Sequence, residues 1–215
     1  MNLLIFDLDG TLIDSRLDLA NAVNAALQHL GRPPLPVEQV AAYVGNGAPV
    51  LVRRALGDDA TQAQCDQALA YFLDFYRRHA LDCTKLYPGV RESLDRLAAA
   101  GKRLAVLTNK PTPVSQVILE GLGVAALFFR IYGGDSFASK KPDPIGVTTL
   151  MREAGIGPDR TMVVGDSSVD VATARNAGVS CCGVTYGLQP DSLDDPPPDL
   201  RVDRLEQMVD WVLSA

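Results

Sequence analysis

The segment Leu3-Leu4-Ile5-Phe6-Asp7-Leu8-Asp9-Gly10-Thr11 sets the reading of the whole chain. Four large apolar residues run together without polar alternation, as expected of a strand covered on both faces in a parallel sheet. The run stops at two acids and at Gly10, a residue that lets the backbone turn sharply. Comparable short runs recur at 103–107, 130–132, 161–164 and 182–185.

Helical periodicity fills the intervals. Val90, Leu94, Leu97 and Ala98 share one face of a stretch that ends at Gly101, a residue suited to the left-handed position after a helix. Further helices are expected at 113–122, 144–154 and 168–177, with a closing helix at 205–213 after a turn-rich loop at 190–199. Strands alternating with helices from residue 86 to 185 predict an α/β fold, a doubly wound parallel sheet with right-handed crossovers.

Residues 15–84 have a different character. They hold no strand-like run, and helices are expected at 17–30, 36–44, 48–56 and 61–79. Residues 1–14 and 85–215 therefore read as an α/β core, and residues 15–84 as an inserted α-helical domain.

Ligands of a doubly wound sheet bind beyond the carboxyl ends of its strands. The residues leaving those ends are Asp7 and Asp9; Thr108, Asn109 and Lys110; Lys140 and Lys141; and Asp166, with Asp170 one helical turn on. Asp7, Asp9 and Asp166 in one crevice would repel each other unless a cation joined them. Hard oxygen ligands in small number suit Mg²⁺. Such an ion would offset the acids enough for a phosphate dianion to approach, with Lys141 and the Thr108 hydroxyl supplying charge and hydrogen bonds to its oxygens. A carboxylate can also serve as nucleophile, dividing one difficult step into two.

Composition narrows the field. The chain has 215 residues, 47% hydrophobic and 21% charged, with a net charge of −6. That excludes a disordered chain, and no basic patch suggests nucleic acid as a partner. The first apolar run is too short and lacks the basic lead of a signal peptide. No stretch is long enough to span a membrane, and the expected location is the cytoplasm. Cys65, Cys83, Cys181 and Cys182 form no C-x-x-C pair and are expected to be reduced. Gly121-x-Gly123-x-x-Ala126 follows a helix, so it is no dinucleotide fingerprint. The motifs of P-loop and serine-esterase sites are missing. The sequence carries no sign of oligomeric state.

Asp-Leu-Asp-Gly-Thr at 7–11, Thr108 at a strand end, Lys141-Pro142, and Gly-Asp-Ser-x-x-Asp at 165–170 together resemble the four motifs of the haloacid dehalogenase-like hydrolases, in order and over nearly the whole chain. The resemblance implies Asp7 as nucleophile and Asp9 as general acid/base. It implies Mg²⁺ held by Asp7, Asp166 and the Asp9 backbone carbonyl, phosphate held by Thr108, Asn109 and Lys141, and ligands oriented by Asp170. The insertion point is similar to that of members with a helical cap over the active site. Asp9 favours phosphate esters over halides, because a departing alkoxide needs a proton.

Residues 43–56, with Tyr87-Pro88-Gly89-Val90 and Leu107-Thr108-Asn109-Lys110-Pro111, are similar to the phosphoglycolate phosphatases of that superfamily. That similarity implies hydrolysis of 2-phosphoglycolate, a small phosphorylated metabolite, to glycolate and phosphate. Candidates for reading the substrate are the Gly45-Asn46-Gly47 backbone, and Arg53, Arg54 and Lys110 for a carboxylate. The alternatives are a phosphatase for a sugar phosphate, a nucleotide or pyrophosphate, a sugar phosphomutase using the same acids, and a binding module that has kept the fold.

Overall fold

The computed structural model describes residues 1–214. In chain order the elements are β1 (Leu3–Phe6), β2 (Ile13–Asp14), α1 (Arg16–His29), α2 (Val37–Ala41), α3 (Ala48–Leu56), α4 (Gln62–His79) and β3 (Lys85–Leu86). Then follow α5 (Val90–Ala99), β4 (Arg103–Leu107), α6 (Thr112–Gly121), β5 (Arg130–Tyr132), α7 (Ile145–Ala154), β6 (Thr161–Gly165), α8 (Ser168–Ala177), β7 (Ser180–Val184), β8 (Leu200–Val202) and α9 (Leu205–Ser214).

Six strands form one parallel sheet in the order β5-β4-β1-β6-β7-β8. β1 lies at its centre, with Phe6 level with Val106 of β4 on one side and Val164 of β6 on the other. All four β1 side chains are fully buried because both faces are covered. Leu3 and Ile5 pack with Val147 and Leu150 of α7 and Val171 and Ala174 of α8. Leu4 and Phe6 point the opposite way, into a cluster that includes Leu94 of α5 and Met208 and Val209 of α9. Side chains alternate across a strand, so this sequence needs both helical layers. The chain winds outward from β1 to β4 and β5, then crosses back to β6, β7 and β8. The carboxyl ends of β1, β4 and β6 thus open side by side at the crevice where such sheets bind ligands.

Helices α1–α4 form a bundle around buried Leu19, Val23, Leu51, Val52 and Phe72. A capping box between Thr61 and Gln64 starts α4 by satisfying backbone donors that the first turn leaves free. The chain enters and leaves this region through a two-stranded antiparallel ribbon, Ile13 opposite Leu86 and Asp14 opposite Lys85. Beside it, buried Asp18 accepts hydrogen bonds from the Thr84 backbone at 2.8 Å, the Thr84 hydroxyl at 2.7 Å and the Cys83 backbone. One carboxylate therefore ties the start of α1 to the returning strand.

Three local expectations change. The helix expected at 36–44 ends at Ala41, and turns lead on to Gly45. The strand expected at 182–185 begins at Ser180, because Gly178 in the left-handed region closes α8 just before it. β8 lies beyond the turn-rich stretch and was not anticipated; three residues with Arg201 exposed in the middle give too short a pattern. All four cysteines are free. No described helix is long and apolar enough to cross a membrane.

Candidate active site

The loop after β1 carries Asp7 and Asp9 into the crevice. Gly10 turns there with φ +85°, and a Cβ on it would lie 2.2 Å from Asp166 Oδ2. Only glycine accommodates both the conformation and the approach of the carboxylate. Thr11 donates to Asp166 Oδ1 at 3.3 Å, and Tyr186 holds the Thr11 carbonyl at 2.9 Å. Asp166, at the end of β6, also accepts from the Leu188 and Gln189 backbones at 2.7 and 3.2 Å.

Lys141 lies buried behind this cluster. Its Nζ is 2.6 Å from Asp170 Oδ1 and 2.9 Å from Asp7 Oδ1. Burial opposes its charge, but Asp170 and Asp7 outweigh burial and hold the ammonium above the usual lysine range. Asp170 also accepts from the Ser167 backbone and hydroxyl, closing a capping box at the start of α8. Both its oxygens are engaged, so its position is fixed by α8 and it fixes Lys141 in turn.

Oxygens of Asp7, Asp166 and Asp170 lie within 4.8 Å of one another. Burial pushes Asp7 up to about 6, with Lys141 pulling it down and Asp170 pushing it up. Asp166 is pushed up to about 8, by burial first and then by Asp170 and Asp7. The Lys141 ammonium is the ion-pair partner of the buried Asp7 Oδ1. Three buried carboxylates this close, two of them resisting ionisation, make an environment suited to a divalent cation with oxygen preference. One lysine does not neutralise three acids.

Asp9 sits apart from that trio. Lys110 Nζ approaches its two oxygens at 2.8 and 3.0 Å, and the Ser15 hydroxyl donates to Oδ1. Lys110 also donates to the Tyr76 hydroxyl, on α4, at 2.8 Å. Burial works against the Lys110 charge, yet Asp9 and Tyr76 outweigh it and hold the ammonium high. Burial pushes the Tyr76 hydroxyl up to about 12.

One pocket joins these groups. Asp7, Asp9, Thr108, Lys110 and Asp166 line its floor, and Leu51, Phe72 and Tyr76 of the helical region line its roof. Gly45 and Gly47 line it as well, whereas Asn46 is not among its walls. Arg53 is turned away: it donates to the Ala60 carbonyl and contacts Cys65 Sγ, bracing the turn between α3 and α4. Arg54 likewise bonds the Tyr43 carbonyl. Neither arginine is among the residues that line the pocket. The Asn109 side chain is also spent elsewhere, because its amide donates to the Gly45 and Lys141 carbonyls and accepts from the Lys141 backbone. Its side chain ties together the loops that carry the pocket and leaves little for a phosphate oxygen.

Ser15, Tyr76 and Gln189 went unnoticed in the sequence. Gln189 lines the pocket and donates to the Ala42 carbonyl at 3.1 Å and to the Val44 carbonyl. Ser15 and Tyr76 carried no motif, and their partners lie far away or on another element.

A parallel sheet with acids at the ends of β1 and β6 and a buried lysine from the segment between β5 and α7 defines a hydrolase class, and the family comparison agrees. The chain belongs to the haloacid dehalogenase-like hydrolases, whose family model matches residues 4–184. Among its relatives, the phosphoglycolate phosphatase of Pseudomonas putida is 44% identical over 213 residues, covering 96% of this chain and 78% of that one. The phosphoglycolate phosphatase of Vibrio vulnificus is 41% identical over 222 residues, covering 100% of this chain and 97% of the relative. A solved structure from Haemophilus somnus, described as a predicted phosphoglycolate phosphatase, superposes with a TM-score of 0.92 at 34% identity, covering 98% of this chain and 97% of that one.

Proposed function

We propose that the chain is a Mg²⁺-dependent phosphoric monoester hydrolase whose substrate is 2-phosphoglycolate. The observation that carries the reading is the convergence of Asp7, Asp9, Asp166 and Lys141 around one crevice, with Asp9 held apart from the metal-binding acids. The substrate is suggested by the relatives' names.

Asp7 and Asp166 carboxylates with the Asp9 carbonyl are the ligands we assign to Mg²⁺. When bound, the ion supplies positive charge against the acids and the phosphoryl oxygens. Asp7 attacks phosphorus in line, and the bond from phosphorus to the ester oxygen breaks. Asp9 gives that oxygen its proton, so glycolate leaves as a neutral alcohol at that position. Lys141 and the Thr108 hydroxyl hold the transferring oxygens as negative charge moves across them. Asp9 then takes a proton from water, which attacks phosphorus, releases phosphate and restores Asp7. Residues 1–14 and 85–215 act in this reading as the catalytic core, and residues 15–84 as a cap that covers the pocket and excludes water.

The test is phosphate release across a panel of 2-phosphoglycolate, sugar phosphates, a nucleotide and pyrophosphate, each with Mg²⁺ and with excess chelator. The highest kcat/KM is expected for 2-phosphoglycolate with Mg²⁺. Full turnover in chelator would overturn the mechanism, and a higher rank for another ester would overturn the substrate. Asp7→Asn is expected to abolish turnover while the protein remains folded.

A further inference from the structure

We propose that Lys110 and the Tyr76 hydroxyl together seat the carboxylate of the substrate, so that the helical region supplies half of the specificity site. The inference rests on the phosphatase reading above and adds a residue and a geometry to it.

Lys110 is the one cation among the residues that line the pocket. Its ammonium has three hydrogens. Tyr76 takes one at 2.8 Å, and the Asp9 carboxylate spans the rest. Asp9 has a second donor in Ser15, so it can give up one of its two Lys110 contacts without losing all support. The Tyr76 hydroxyl accepts from Lys110, but its own proton has no acceptor among the described residues, although the side chain is only 3% exposed. An unspent donor inside a pocket is costly unless a ligand fills it. Two donors side by side, one charged, match the two oxygens of a carboxylate.

Chain length fits as well. In 2-phosphoglycolate one methylene separates the carboxylate from the ester oxygen. The group that protonates that oxygen and the group that binds the carboxylate must therefore be immediate neighbours, as Asp9 and Lys110 are. Phe72 stacks on Tyr76 with ring centroids 5.6 Å apart and holds the phenol in place.

The test uses binding, so it does not depend on turnover. Calorimetry of the full chain with Mg²⁺ compares 3-phosphonopropionate, a non-hydrolysable analogue, with propylphosphonate, which lacks the carboxylate. Wild type is expected to prefer the carboxylate. Tyr76→Phe, which keeps the ring stack, is expected to reduce that preference about 10-fold, and Lys110→Met about 100-fold, as for lost hydrogen bonds to a charged group. The proposal falls if wild type shows no preference, or if Tyr76→Phe leaves it within about threefold. An unchanged preference would assign the carboxylate to the Gly47 end of α3 instead. A carboxylate preference carried by Tyr76 would stand even if the turnover panel failed, and loss of the phosphatase reading would appear only in that panel.

Discussion

Replacing Lys141 by methionine separates its two roles. The side chain keeps its length and loses its charge. In the structure Nζ bridges Asp170 at 2.6 Å and Asp7 at 2.9 Å, with all three side chains buried. Breaking a buried ion pair from one side costs about 3–5 kcal/mol, because the remaining charge is left without compensation. For a domain of this length each kcal/mol moves Tm by about 2–4 °C, so metal-free Lys141→Met should melt about 6–20 °C below wild type. The acid cluster becomes more negative, and a divalent ion should recover more of the loss in the variant than it adds to wild type. Catalysis should not recover. Removing one donor to a developing phosphoryl charge costs about 2.7–4 kcal/mol, a fall of about 10²–10³ in kcat. Melting curves with and without Mg²⁺, run beside phosphate release, measure both. A variant folded in Mg²⁺ with kcat/KM within tenfold of wild type would refute Lys141 as a phosphoryl ligand. An unchanged metal-free Tm would refute its place in the ion cluster.

Asp166 and Asp7 are raised from 3.8 to about 8 and about 6 by burial, so above the ordinary carboxylate range the metal-free folded state holds protons that the unfolded chain has released, Asp7 up to about pH 6 and Asp166 up to about pH 8. Stability in chelator should therefore fall as pH rises across that window, and saturating Mg²⁺ should flatten the slope; a flat or rising profile in chelator would contradict it. Gly10→Ala places a Cβ 2.2 Å from Asp166 Oδ2 on a backbone at φ +85°. It is expected to abolish the Mg²⁺-induced rise in Tm, with a backbone penalty of about 1–2 kcal/mol, and an intact rise would exclude the close approach. Gln189→Ala removes two hydrogen bonds to the Ala42 and Val44 carbonyls. Amide exchange across residues 42–47 should quicken, by about 1–3 kcal/mol of lost protection, and unchanged exchange would show that the contact holds nothing.

Much of the core could be read directly from the chain. Leu3–Phe6 has no polar alternation and can only be stable between two helical layers. The acids follow such strands at once, so placing the strands also placed Asp7, Asp9 and Asp166 on one rim. Pattern sufficed there because burial and rim position are decided within a few residues.

Arg53 shows where that reasoning stops. From sequence it is a candidate for a substrate carboxylate; in the fold it bonds the Ala60 carbonyl, contacts Cys65 and does not line the pocket. Asn109 followed a strand like a ligand, yet its amide joins two loops. The Asp9–Lys110–Tyr76 junction draws on residues from three separate segments. Local sequence determines periodicity, turns and the residues that leave a strand end. Which side chains meet across the pocket depends on how the helical region packs over the sheet, and that is decided by long-range burial and hydrogen bonding in three dimensions.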